Sequence, residues 1–362
     1  MHRFFSLALS QTARRVGALA VSCLAAASMV ACGGGTQSKK FKPDSFVAFG
    51  DDFALIKSDG SRYTVNTYRD GYTPSTTPPA TPSSPPVYSC NAELSWLMLF
   101  AFDFGFKFST ECPDWSSGGD KTAVMLANDP VDISFTSTGV DTAVANAGAN
   151  AVLTTINQNL SLLNKGTLVT VTVGRADIVK AYWTYLLTPD DATLSSLKSQ
   201  LKSLGGSFAA GLQPVVQSGA RTMIVLTPSL AESPLAKLDA VNVTRNKAAM
   251  AALVQAFNDG LTFGLSTSGY TGQQVALVDV PTVLNAVLTN PSAYGLASID
   301  SGACSTVTTS NSFGPPPLCL ATDLPDQTVL TSYFWADNTH VNTSMASTIA
   351  STAYSAFSNH PF

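Results

Sequence analysis

Charge is what this chain has least of. Asp, Glu, Lys and Arg make up 12% of its 362 residues, against about 25% in an ordinary soluble protein. Ser, Thr, Asn and Gln must therefore carry much of the solvent-facing surface. The net charge of −4 gives no electrostatic reason to expect a nucleic-acid partner. Histidine is nearly absent, at three residues, and no CxxC pair occurs. That argues against a metal centre built from His and Cys, and no cofactor is called for. The apolar share, 45%, is ample for a full core, and the length suits one large domain or two small ones.

The start reads as a processing segment. "TARRVGALAVSCLAAASMVAC" has arginines, then an apolar stretch too short to span a bilayer comfortably, then small residues before a cysteine. "MVAC" followed by "GGG" resembles a bacterial lipobox. That resemblance implies a signal peptide over 1–31, lipid on Cys32 and a tether over 32–44. Gly33, with no Asp at that position, resembles lipoproteins sorted to the outer membrane, facing the periplasm or the cell surface. The membrane is then reached through the N-terminal lipid. Six cysteines sort accordingly: Cys23 leaves with the signal, Cys32 takes lipid, and four remain. Four cysteines allow three pairings. The local pairs, Cys90–Cys112 and Cys304–Cys319, are expected because each closes a short loop in loop-like sequence of an exported chain.

Five stretches predict strands: 46–50, 131–136, 167–173, 221–227 and 274–280. The run "TLVTVTV" is continuous, as in a parallel strand buried on both faces. Residues 70–89 are too rich in Pro, Thr and Ser to form an element. Helical patterns lie between the strands. Val152, Ile156, Leu160 and Leu163 share one face. Two patterns fill 191–218, a long helix from 243 is capped by Thr244, and the last helix has an inner stripe of Ile349, Ala353 and Phe357. Alternating strands and helices with no second core predict one α/β domain over 45–362 with a mostly parallel sheet. Ligands bind such sheets at the carboxyl ends of strands. Two acids, Asp51 and Asp52, stand at that end of the first strand.

"FGDD" (49–52) and "FWADNTH" (334–340) together resemble the first and last blocks of the SGNH/GDSL hydrolase family, FGDSL and DxxHP. "VTVGRADIVKAYW" resembles its third block, GxND, and "FTSTGVDTA" its second. "LVQAFNDGL", "VALVDVPTVLNAVLTNPSAYGL" and the "ACS…C" stretch resemble further segments of lipase-like esterases of that family. The likeness runs from about residue 45 to the end. It implies a three-layer α/β/α, flavodoxin-like fold with a five-stranded sheet. It also implies a site of Asp337 and His340 as acid and base, Gly139 as an oxyanion donor and Asp51 in the strand-end hydrogen-bond network.

Three positions depart from the family pattern. The nucleophilic serine is Asp52, the block-three asparagine is Ala176, and the proline after the histidine is Val341. Asp52 removes the hydroxyl and places a second acid beside His340, which favours imidazolium and removes the base. Ala176 takes a donor from the oxyanion hole. Two function classes remain. One is an acyl-ester hydrolase with altered chemistry, using Asp52 as nucleophile or a relocated serine such as Ser58 or Ser137. The other is a catalytically silent relative that binds a lipid, glycan or protein in the inherited cleft. On this reading Asp52→Ser with Ala176→Asn repairs the site in part. His360, beside the C-terminus, is expected to be idle.

Overall fold

The structure is a computed structural model that describes residues 41–70, 88–129, 135–136, 139–140, 147–304, 319–324 and 326–359. Residues Lys42–Phe362 form one compact unit. Its centre is a five-stranded sheet of β1 (Ser45–Gly50), β2 (Val124–Ala127), β3 (Thr167–Thr172), β4 (Arg221–Val225) and β5 (Val275–Val278). Every pairing is parallel and the order is β2-β1-β3-β4-β5. The chain steps outward from β1 to β2 and then returns past β1 to β3. The switch point of this doubly wound sheet therefore lies between the carboxyl ends of β1 and β3, where such folds place their sites.

Sequence and burial explain the middle of the sheet. Phe46, Val47, Ala48 and Phe49 are all buried, as are all six residues of β3. Both strands are covered on both faces, so their sequences do not alternate. Ser45 Oγ donates to Thr167 Oγ1 across the pair at 2.9 Å.

The second strand differs from the sequence reading. The sheet's strand is Val124–Ala127, not 131–136. Of that stretch only Phe135–Thr136 is described, and it pairs antiparallel with Gly139–Val140. The true β2 is an edge strand with a half-exposed pattern, so packing did not impose the β-branched composition that marks its neighbours.

Seven helices matter here: α1 (Trp96–Phe102), α2 (Ala149–Gln158), α3 (Arg175–Leu187), α4 (Asp191–Gly211), α5 (Val243–Thr267), α6 (Val280–Thr289) and α7 (Ala346–Asn359). Helices α2 to α5 pack together on one face of the sheet; α1, α6 and α7 pack on the other. Val152 and Ile156 are buried on α2, with Leu163 just beyond it. Ile349 and Ala353 are buried on α7, while Phe357 meets Phe104 edge-on at 4.6 Å. Helix α5 is entered from Asn242, so Thr244 lies inside its first turn instead of capping it. Cys90 is bonded to Cys112 and Cys304 to Cys319. The first loop is also held by the buried guanidinium of Arg62, which donates to the carbonyls of Gly60, Ser89 and Ala92.

A short parallel pair, β6 (Ser298–Gly302) with β7 (Tyr333–Trp335), carries the chain back to the sheet's carboxyl end. Trp335 and Val341 form an antiparallel bridge, and Ala336 N donates to His340 O at 2.8 Å. Residues 336–340 are thereby held as a closed loop.

Candidate functional site

The end of β1 turns at Gly50, whose φ of +142° suits glycine alone; a Cβ there would lie 2.1 Å from Thr172 Oγ1. The turn brings Asp51 N to Thr172 O and Oγ1, both at 3.2 Å. The Asp51 carboxylate accepts from Phe53 N at 3.2 Å and from Arg175 N at 3.3 Å. One acid of the pair thus ties β1 to the start of α3. Burial and the charge of Asp52 push its pKa up to about 6.

Asp52 points the other way, into a cluster of charge. Its Oδ2 accepts from Arg175 Nη2 and lies 2.8 Å from His340 Nε2. Arg175 Nη2 also lies against His340 Nε2, and Nη1 donates to Thr339 Oγ1 at 3.1 Å. His340 Nδ1 lies 2.6 Å from Asp337 Oδ2. Asp337 Oδ1 accepts from the backbone N–H groups of Thr339 and His340, at 2.7 and 2.8 Å. Two carboxylates, Asp52 and Asp337, face the guanidinium of Arg175 and the ring of His340. Its centre is closed to solvent, with relative exposure of 2% for Asp52, 6% for Arg175 and 8% for His340, while the side chain of Asp337 keeps 25%.

The titration directions follow from these contacts. Burial pushes Asp52 up, but Arg175 and His340 outweigh it and hold the carboxyl below the usual range. Burial likewise opposes the charge on Asp337, and His340 with the loop N–H groups overcomes it, leaving its pKa lowered. Burial and the charge of Arg175 pull His340 down; Asp337 and Asp52 pull harder, and its pKa rises above the ordinary value. When protonated, the ring turns one N–H toward each carboxylate and has no lone pair left to accept a proton. A carboxylate shared by two cations is a weak nucleophile. The arrangement is an ion-pair cluster and does not have the form of a nucleophile with its base.

The space beside it is small. The cavity that Asp52 lines with Phe53, Tyr63, Trp96 and Val341 measures about 30 Å³. Ligand pockets run to roughly 300–1,000 Å³, and this one suits about one water molecule. Tyr63 forms part of the covering, its ring 4.9 Å from that of His340. Its hydroxyl donates to Asp129, which also pairs with Lys57 at 2.9 Å. A strap from the 57–63 segment is thus held over the histidine.

Other expected positions fall as follows. Ala176 is buried in the first turn of α3 and offers only a methyl group. Gly139 lies in the two-residue strand Gly139–Val140, beside α3. Ser58 is exposed on a turn, and among the described residues no serine hydrogen-bonds to His340. Cys32, Ser137, His360 and the loop 71–87 lie outside the described residues.

Arg175 is the residue that sequence reading missed. It stands between Gly174 and Ala176 in "GRAD", at a place where the family block carries no required side chain. One signal was present. In a chain so poor in charge, an arginine directly after a fully buried strand needs an acid, and the acid pair ends the neighbouring strand. Gly174, at φ +108° with Phe257 packed where a Cβ would project, sets the turn that aims it. Arg175 adds a group that the two-substitution repair does not take into account, because its Nη2 lies against His340 Nε2 as well as Asp52 Oδ2.

No family model matches the chain and no curated protein matches it. Solved structures do. An alpha/beta hydrolase enzyme from the metagenome of Lake Arreo aligns at 13% identity over 88% of this chain and 97% of its own, with TM-score 0.39. An extracellular lipase from Streptomyces rimosus aligns at 17% identity over 79% and 97%, with TM-score 0.37. A Bacillus subtilis protein aligns at 14% identity with TM-score 0.33; the match covers 87% of this chain and 56% of the other.

Proposed function

We propose that this chain is a lipid-anchored relative of the SGNH/GDSL hydrolases whose acyl-ester site has become a buried ion-pair cluster, and that it acts by binding rather than by hydrolysis. One observation carries the reading: the carboxylate of Asp52, at the nucleophile position, is shared between Arg175 and His340 with all three side chains buried. Four features support the family: the strand-end acid pair, the Asp337–His340 spacing, the "GRAD" turn, and the meeting of all three at the switch point of a 2-1-3-4-5 sheet. The test is turnover of short and medium acyl esters by the purified protein, beside Asp52→Ala and His340→Ala. No turnover above either variant is expected. Hydrolysis by the native chain that His340→Ala abolishes would overturn the proposal.

A second reading draws on the intact Asp337–His340 pair at 2.6 Å: a working hydrolase with an aspartate nucleophile. It requires Arg175 to leave Asp52 during turnover, and the same assay separates the two. Lipid on Cys32 and placement at the outer membrane belong to the proposal as well. Mass spectrometry of the mature N-terminal peptide should find acyl chains on Cys32; an unmodified N-terminus at Gly33 or beyond would contradict the anchor.

A further inference from the structure

The two disulfides are not equally placed. Cys90 and Cys112 are wholly buried, while Cys304 keeps 9% of its surface and Cys319 4%. The more open pair also joins two walls of the ion-pair cluster. Cys304 follows β6, where Cys304 N donates to Ala336 O at 2.8 Å and Ala303 N to Trp335 O at 2.9 Å. Ala336 N in turn holds the carbonyl of His340. The fit is tight, for a Cβ on Gly302 would fall 2.7 Å from the Asp337 Cα. Cys304 is therefore built into the loop that presents the histidine.

Cys319 is built into the other wall. Its carbonyl accepts from Asn66 N at 2.8 Å, and Ala321 N donates back to Asn66 O at 2.8 Å. Asn66 is buried and shapes the strap just ahead of it. Its Oδ1 accepts from Arg62 N, and its Nδ2 donates to the carbonyls of Arg62 and Thr64, all at 2.9 Å. Between those two residues stands Tyr63, whose ring lies against that of His340. Val65 packs with both cysteines, Ala303, Ala321 and Ala336 in one small apolar core. From His340 through Ala336, the disulfide, Asn66 and Tyr63, the contacts close a ring. The S–S bond is the covalent link between its two halves.

We propose that Cys304–Cys319 is a redox clasp: oxidised, it holds the strap of Tyr63 over His340, and reduced, it lets that strap lift and opens the cluster to solvent and ligand. The inference concerns access to the cluster and stands whether or not the chain hydrolyses esters. The reductant is a dithiol. Its thiolate attacks the Cys304 sulfur and displaces Cys319 as a thiolate; its second thiol then attacks the mixed disulfide and leaves as a cyclic disulfide. Two electrons and two protons end on Cys304 and Cys319 as thiols.

The other anchors of the strap fix the direction of opening. Arg62 holds the carbonyls of Gly60, Ser89 and Ala92, and Lys57 pairs with Asp129. None of these contacts passes through Cys304 or Cys319. Reduction therefore frees the strap on its Asn66 side and leaves its Arg62 side attached. Lifting the ring gives up the hydrogen bond of Tyr63 to Asp129. The crosslink spans 15 residues, and the chain freedom returned by cutting such a loop favours opening by up to about 100-fold.

The test treats the oxidised protein with dithiothreitol in native buffer and traps free thiols with iodoacetamide. Peptide mapping should find label on Cys304 and Cys319 while Cys90 and Cys112 stay bonded. In the same sample, protection of the Asn66 and Ala321 amides against hydrogen exchange should fall by about 10- to 100-fold. Deuterium uptake at C2 of the His340 ring should quicken by about tenfold or more, and the β3 amides should keep their protection. Cys304→Ser with Cys319→Ser should show the same exchange without any dithiol. Labelled Cys304 and Cys319 with unchanged exchange at Asn66 and His340 would overturn the clasp. Loss of protection throughout β3 would overturn it too, by making the bond a support of the whole fold. So would label that reaches Cys90 and Cys112 first, or no label at all in native buffer.

Discussion

Arg175→Ala should lower folding stability by about 3–5 kcal/mol, the usual loss when one partner of a buried ion pair is removed and the other charge stays behind. The stranded charge is that of Asp52, whose Oδ2 then has His340 as its one cation. Urea unfolding checks this through the midpoint, provided the slope stays constant. Arg175→Lys should fall between, because a point charge cannot reach Asp52 and Thr339 together as the guanidinium does. Removing both charges, as Arg175→Met with Asp52→Leu, should recover most of the loss, since apolar replacements of buried pairs are often neutral or better. A loss below about 1 kcal/mol for Arg175→Ala, the range of exposed pairs, would mean that the pair is not buried as described.

The second large effect concerns chemistry. On the proposed SGNH/GDSL reading, Asp52→Ser with Ala176→Asn supplies a hydroxyl and one oxyanion donor, yet the variant should not label with a fluorophosphonate probe. Arg175 Nη2 lies against His340 Nε2, on the nitrogen that must accept the serine proton. Adding Arg175→Ser should free that nitrogen and allow labelling at residue 52, and His340→Ala should then abolish it. The two variants share the serine and the asparagine and differ in whether His340 is free to act as the base. Loss of the histidine in a comparable triad costs about 10⁶ in rate, so the triple variant should label more than about 10²-fold faster than the double. Equal labelling of the double and triple variants would show that Arg175 does not block the site. A folded triple variant that stays unlabelled would show that the frame itself, Gly139 included, no longer fits.

What the sequence disclosed follows from packing. β1 and β3 are covered on both faces, so the core demanded unbroken apolar and β-branched runs, and those are legible. β2 escaped because an edge strand is half solvated and need satisfy only one side. The Asp337–His340 spacing was legible because a closed loop fixes it over four residues, whatever the rest of the chain does. Arg175 was not, because its meaning depends on Asp52, 123 residues earlier. Only the parallel pairing of β1 with β3 makes the two neighbours, and a short motif holds no record of that. The strap of Lys57, Tyr63 and Asp129 was hidden for the same reason: three unremarkable residues become one device when the switch point gathers them.

The protonation state of His340 decides whether the cluster holds a base, and ¹⁵N spectroscopy of its ring reads that state directly. Only three histidines occur in the chain, so assignment by His340→Gln is simple. Asp337 and Asp52 raise its pKa, and a raised pKa means that the proton is kept as pH climbs past the unperturbed value of about 6.5. At pH 7 both ring nitrogens should carry protons, and Asp52→Asn should lower the titration midpoint. A neutral ring at pH 7 with a free Nε2 lone pair would contradict the account, because that ring is a base ready for use.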